Sequence, residues 1–178
     1  MQEKLALEEQ IEKAQRALKT HHLNISYSEL ASMYESQELK IAPFYQRSFH
    51  WTDNQKARFI ESILLGFPIP AIFVVQNAEG IWELVDGMQR LLTIFEFIGV
   101  LTNIEGQPVP PLRLSFSAQP IQLSLLDGRT FVELSVWTRL SIQRATCRVE
   151  IIKMDHEPTR TMEIFARLNP KVQYQTND

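Results

Sequence analysis

The chain has 178 residues, 44% hydrophobic and 22% charged. That is enough for one domain with a substantial buried core, and it excludes wholesale disorder. A net charge of -3 argues against a basic nucleic-acid scaffold, and the single cysteine, Cys147, excludes an intramolecular disulfide framework and a multi-cysteine zinc site.

The charged amino terminus lacks a signal-peptide pattern and no apolar run approaches a membrane span, so a soluble, cytoplasmic protein with no membrane contact is expected. From Gln2 to Lys19 strong helix formers carry an apolar stripe at Leu7, Ile11, Ala14 and Leu18. So narrow a stripe predicts a helix leaning on the body or on a second copy. Ser26 with Glu29, or Ser28 just after it, offers a second helix start before Leu30 and Met33. A short extended run, Leu39 to Ala42, leads into the aromatic-rich PFYQRSFHW. Thr52 and Gln55 then fit a capping box for a helix carrying Phe59, Ile60, Ile63 and Leu64, stopped at Gly66 and PIP.

AIFVVQ and IWELV predict a hairpin joined by Asn77-Ala78-Glu79-Gly80. A helix opened by Asp86 is predicted to run to about Gly99. Pro108, Pro110, Pro111 and Pro120 predict irregular strands and loops between Thr102 and Arg129. Residues 130–143 read as one or two short helices. In ATCRVEII, Cys147, Val149 and Ile151 alternate with Arg148 and Glu150, the period of a half-buried strand. A last helix is predicted from Thr159 to Leu168. There is no internal repeat and no low-complexity segment.

The joint between the second hairpin strand and its helix, DGMQR, holds the main chemical question. Asp86 as N-cap with Gln89 three residues on makes a capping-box-like pair, and Gly87 eases the exit from the strand. Capping does not explain Arg90. A cation in the first helical turn faces the positive end of the dipole, which costs roughly 0.3 to 1 kcal/mol unless an anion is present. That anion is either a bound phosphate, held by free amides and the guanidinium fork, or an internal carboxylate such as Glu61 or Glu83. Residue spacing leaves the two readings level.

YQRSFHW, Tyr45 to Trp51, reads alone as an aromatic loop packed on the core with Arg47 solvated. Gln46-Arg47 and Gln89-Arg90, however, both stand at ends of strand-like segments, where ligands collect in α/β sheets. Two converging guanidiniums would neutralise a polyphosphate. Asp86 could then hold a divalent ion or orient an attacking water.

FYQRSFHW, a helix ending GFPIP, a hairpin into VDGMQR and finally IFARLN stand in an order that resembles the DGQQR-motif N-terminal domain of GmrSD-type modification-dependent restriction proteins, within the ParB and sulfiredoxin-like superfamily. The resemblance spans roughly Ser26 to Asn169. It implies an α/β (α+β) domain, a ParB/sulfiredoxin-like mixed sheet flanked by helices over residues 26–178, behind an N-terminal helical extension over residues 1–25. It further implies nucleoside triphosphate binding and hydrolysis coupled to a nuclease acting on modified or invading DNA. By position, Asp86, Gln89 and Arg90 would be catalytic. Gln46, Arg47, Gly87, Arg90, Arg167 and Asn169 would bind nucleotide, and Asp86 would support Mg2+, the expected cofactor. One departure is Met88, where the family pattern has its first glutamine. If that position contacts nucleotide or water, activity or base preference changes; a helical face shared with Leu91, Leu92 and Phe95 favours an apolar filler, which leaves the chemistry to Gln89 and Arg90.

His21-His22, His50 and His156 do not form an HNH-type pattern, and Asp155-His156-Glu157 reads as a charged turn. Walker-type loops and Cys/His zinc spacings are missing. The expectation is therefore an NTPase domain without its own nuclease site, an N-terminal piece of a longer protein, meeting DNA through the full-length chain or a nuclease partner. The alternative is a non-hydrolysing nucleotide- or DNA-binding module that forms homo-oligomers through its first helix.

Overall fold

The structure is a computed structural model that describes residues 2–17, 19–41, 51–117 and 121–153. Its centre is a five-stranded mixed sheet in the order β1-β5-β3-β4-β2. The strands are β1 (Lys19–Ser26), β2 (Leu39–Lys40), β3 (Ile72–Gln76), β4 (Trp82–Asp86) and β5 (Thr146–Lys153). The helices are α1 (Gln2–Ala17), α2 (Tyr27–Glu35), α3 (Asp53–Leu65), α4 (Met88–Ile98) and α5 (Val136–Arg144). The α+β expectation is borne out.

Local signals form the elements as written. Ser26 caps α2 by accepting the Glu29 amide, and Thr52 and Gln55 complete both halves of the capping box on α3. Gly66 ends α3 in the left-handed conformation at φ 73°. The β3–β4 hairpin is antiparallel, as expected, and β5 buries Cys147, Val149 and Ile151. Two short 3₁₀ turns, Ser124–Leu126 and Phe131–Glu133, punctuate an irregular stretch after α4. The predicted helix from Thr159 to Leu168 lies outside the described residues.

One element was not anticipated. The helix formers predict a first helix as far as Lys19 and no strand over residues 20–25, yet β1 begins at Lys19 and pairs with β5 antiparallel from Lys19↔Lys153 to Ser26↔Thr146. The strand is made by that long-range pairing. Its own sequence offers only Leu23 and Ile25 as apolar alternation, too little to announce it.

One face of the sheet carries the main core. Ile25, Ile72, Val74, Leu84, Val149 and Ile151 pack beneath Leu30 of α2, Ile60 of α3, Leu91 and Phe95 of α4, and Ile142 of α5. On the other face the cross-strand partners Val75 and Ile152 are also buried, as is Val85. Helices α3 and α4 run side by side in the same direction, because the Trp51 amide donates to Gln89 Oε1 at 3.1 Å and, farther along, Lys56 Nζ donates to Glu96 Oε2 at 2.7 Å. Helix α2 follows the same course along α4, with Tyr34 stacked on Phe95 at 4.9 Å. The Glu61 carboxylate, 4% exposed, fastens the irregular segment to α3 by accepting the amides of Gln122 and Leu123. No helix among the described residues is long and apolar enough to cross a membrane.

Candidate functional site at one end of the sheet

The pairing scheme brings the end of β1, the start of β3, the end of β4 and the start of β5 to the same side of the sheet. Helix α2 starts there after Ser26 and α4 after Gly87, while the Trp51–Gln89 bond brings the start of α3 beside them. Three helix dipoles therefore present their positive ends together. The starts of α2 and α3 are capped by Ser26 and Thr52, whereas α4 has no side-chain cap at all. The start of a helix whose cap residue brings no side chain is a place where backbone amides and the dipole can meet an anion.

This corrects the expected roles of Asp86 and Gln89. Asp86 is the last residue of β4 rather than the N-cap of α4. Gly87 is the cap, at φ 96°, and its carbonyl accepts the Leu91 amide at 3.1 Å. A side chain at Gly87 would be strained at that φ and would overlap Ile72, so glycine is dictated by backbone and packing alike. The β3–β4 register slips between Phe73 and Val74, a bulge that leaves Asp86 paired with Phe73 at the very end of the strand. Nor does Gln89 close a capping box: its Oε1 accepts from Trp51 instead.

Asp86 Oδ2 accepts from Arg90 Nη2 at 3.1 Å, and Arg90 Nη1 donates to the carbonyls of Pro70 and Ala71, the latter at 3.1 Å. Arg90 thus pins the start of α4 to the chain entering β3. The carboxylate beside the cation is Asp86, not the expected Glu61 or Glu83. Glu61 pairs with Arg58 instead, at 3.2 Å. The Arg90 side chain is 14% exposed and that of Asp86 35%, so the pair sits at the rim of the site with the carboxylate more open to solvent. Met88 packs against the core, as its helical face predicted.

Beneath this rim lies a buried polar pair, Tyr27 and Cys147, that no local sequence pattern brings together. Tyr27, 1% exposed, is the first residue of α2, and among the described residues its buried hydroxyl has no partner other than the weakly bonding Cys147 thiol. Cys147, 2% exposed, lies close to it. Burial drives the Tyr27 phenol well above its ordinary range and raises the Cys147 thiol, while the nearby positive charge of Arg90 opposes both shifts. The one available signal was position: Tyr27 follows the Ser26 cap directly.

Of the anticipated residues, Asp86, Gly87, Gln89 and Arg90 come together, whereas Gln46, Arg47, Arg167 and Asn169 lie outside the described residues. Among the described residues no three His, Cys, Asp or Glu side chains cluster as a metal cage. Asp86 alone fits an ion that arrives already coordinated by phosphate oxygens and water, the usual manner of Mg2+ binding with nucleotides.

No curated protein and no solved structure matches the chain. The family model described as GmrSD restriction endonuclease, N-terminal domain, matches residues 27–173, which takes in the sheet from α2 onward and the whole Asp86–Arg90 joint. The chain belongs to that family, the N-terminal domains of GmrSD restriction endonucleases, and its context is restriction and defence.

Proposed function

We propose that this domain binds and hydrolyses a nucleoside triphosphate at the α4 end of the sheet, and that this controls a nuclease acting on modified or invading DNA. The observation that carries the reading is the start of α4, capped by a glycine that brings no side chain, set among the starts of α2 and α3 and flanked by Asp86 and Arg90. The amides and dipoles favour a phosphate there, and the guanidinium keeps donors beyond those spent on Pro70, Ala71 and Asp86. Gln46 and Arg47 precede Trp51 by five and four positions in the chain, and would contribute the second cation. Mg2+ bound with the nucleotide would neutralise phosphate charge, with Asp86 as its protein carboxylate. Gln89 would position the phosphates or the water, and Arg167 and Asn169 would close the pocket. DNA would be met through a nuclease partner or further parts of the protein.

A second reading rests on the three internal acceptors of Arg90. A cation so well satisfied serves a non-hydrolysing module, in which nucleotide binding is a signal and no bond is cleaved. Phosphate release from ATP, GTP, CTP and UTP with Mg2+, measured beside thermal unfolding with each nucleotide, separates the two. Release abolished in a folded Asp86→Asn variant is the expected result. Nucleotide stabilisation without release selects the binding module. Turnover persisting in both Asp86→Asn and Arg90→Lys, or no nucleotide effect of any kind, overturns the assignment of this site.

A further inference from the structure

Three segments that open at the same end of the sheet meet under Arg90. The Tyr27 amide, at the start of α2, donates to the Ala145 carbonyl just before β5, at 3.0 Å. Cys147, the second residue of β5, stands opposite Ile25 in the β1–β5 ladder and lies against both the Tyr27 hydroxyl and the amide of Ile72, which opens β3. Ile72 follows Ala71, whose carbonyl accepts from Arg90, and a Cβ on Gly87 would meet Ile72 on one side and Arg90 Nη2, at 3.3 Å, on the other. The cation therefore stands over a buried floor that contains the Tyr27 hydroxyl and the Cys147 thiol, and its charge reaches both. Among the described residues, that hydroxyl is the one buried side-chain oxygen or nitrogen without an oxygen or nitrogen partner. A phenylalanine would fill the same space without this desolvation cost, so packing does not account for the hydroxyl.

We propose that Tyr27 is a positioning residue for Arg90, its hydroxyl accepting from the guanidinium once nucleotide phosphates draw Nη2 away from Asp86. The proposal rests on the nucleotide reading of this site. A phosphate at the start of α4 competes for the donor now spent on Asp86 Oδ2, at 3.1 Å, and repels that carboxylate. The exchange leaves Arg90 tethered by Nη1 alone, to the carbonyls of Pro70 and Ala71. A second tether is what the phenol supplies. Burial raises its pKa and keeps it neutral, so it steadies the cation without cancelling the charge that the phosphate needs. A carboxylate in its place would steady Arg90 and neutralise it together. The stability that the hydroxyl forfeits in the free protein returns as a bond in the nucleotide complex.

Two measurements on the full chain test this. The first needs no nucleotide, because Asp86→Ala frees Nη2 as the phosphate would. Tyr27→Phe should leave the unfolding temperature of wild type unchanged or higher, yet lower that of the Asp86→Ala variant by about 3 °C. The second is titration of wild type and Tyr27→Phe with ATP, GTP, CTP and UTP, each with Mg2+. Tyr27→Phe should bind the nucleotide that wild type binds about tenfold more weakly, at an unfolding temperature no lower than that of wild type. A Tyr27→Phe effect on unfolding that is the same with Asp86 and with Ala at that position overturns the proposal. Equal nucleotide affinity in wild type and Tyr27→Phe also overturns it, and leaves the nucleotide reading of the site in place. Absence of nucleotide binding by wild type overturns that reading and the proposal with it.

Discussion

Arg90 Nη2 donates to Asp86 Oδ2 at 3.1 Å from one helical turn away, while the other arm of the same guanidinium holds the carbonyls of Pro70 and Ala71. The cation at the start of α4 thus has an internal anion and a structural task, binding the helix start to the lead-in of β3. The two partners should therefore differ in what they cost. Arg90→Ala strands two carbonyls and a carboxylate and should destabilise by about 2 to 4 kcal/mol. Asp86→Asn, at a half-open rim, should cost about 1 kcal/mol or less. Urea unfolding of the two variants measures the contrast, and equal losses would mean that Arg90 is held mainly by Asp86.

Gly87 is fixed twice, by a φ of 96° and by the Ile72 side chain against which any Cβ would press. Gly87→Ala should destabilise by about 3 kcal/mol, the left-handed strain and the steric overlap acting together. Ile72→Ala removes the closest of the overlapping atoms, Cγ2, but keeps Cβ at 2.9 Å, so the double variant Gly87→Ala/Ile72→Ala should lose somewhat less than the sum of the single losses. Strict additivity in a double-mutant cycle would exclude the Ile72 Cγ2 overlap as a cause.

The parts of this fold that were legible in the sequence are those written within a few residues. The Ser26 and Thr52 caps, the Asn77-to-Gly80 hairpin and the alternation of β5 each combine a local pattern with a local structure. What was not legible depended on distant partners. KTHHLNIS becomes β1 because β5 supplies its ladder, and neither segment announces the other. At the site, the right residues were found and their bonds were not: Asp86, Gly87, Gln89 and Arg90 do meet, but the left-handed Gly87 takes the cap from Asp86. Gln89 likewise turns to Trp51, whose proximity follows from the packing of α3 beside α4. Tyr27 and Cys147 were hidden for the same reason, since a tyrosine at a helix start and a cysteine in a strand meet only through the β1–β5 pairing, where Ile25 sits opposite Cys147.

Glu61 offers a test of how the irregular segment is held. Its Oε1 accepts the Gln122 amide at 2.8 Å and the Leu123 amide at 2.9 Å, and Oε2 accepts from Arg58. Glu61→Ala leaves two amides without their acceptor and should cost about 2 to 4 kcal/mol, whereas Glu61→Gln keeps one carbonyl oxygen for them and should cost about half as much. Limited proteolysis between Leu112 and Arg129 should accelerate in the alanine variant before global unfolding does. Unchanged cleavage there would place the anchoring of this segment elsewhere.

Tyr27 carries the prediction with the least expected sign. Its hydroxyl is buried with no partner other than the weakly bonding Cys147 thiol among the described residues, so removing it relieves a desolvation cost and loses little bonding. Tyr27→Phe should therefore be neutral or stabilising by about 1 kcal/mol at neutral pH, with the edge-on contact to Phe59 retained. The pH dependence follows from the direction of the shift. Burial raises the phenol's folded-state pKa above its unfolded value, so the folded chain keeps a proton that the unfolded chain releases. That contribution is whole below the ordinary phenol pKa of about 10 and is lost as pH climbs beyond it. The Cys147 thiol, also raised by burial, adds a similar loss that sets in earlier, above about pH 8.5. In wild type the unfolding free energy should therefore fall on the alkaline side in two stages, and Tyr27→Phe should remove only the later one. A destabilised phenylalanine variant would show that the hydroxyl has a bonding partner in solution, and an unchanged alkaline limb would show that Tyr27 does not govern it.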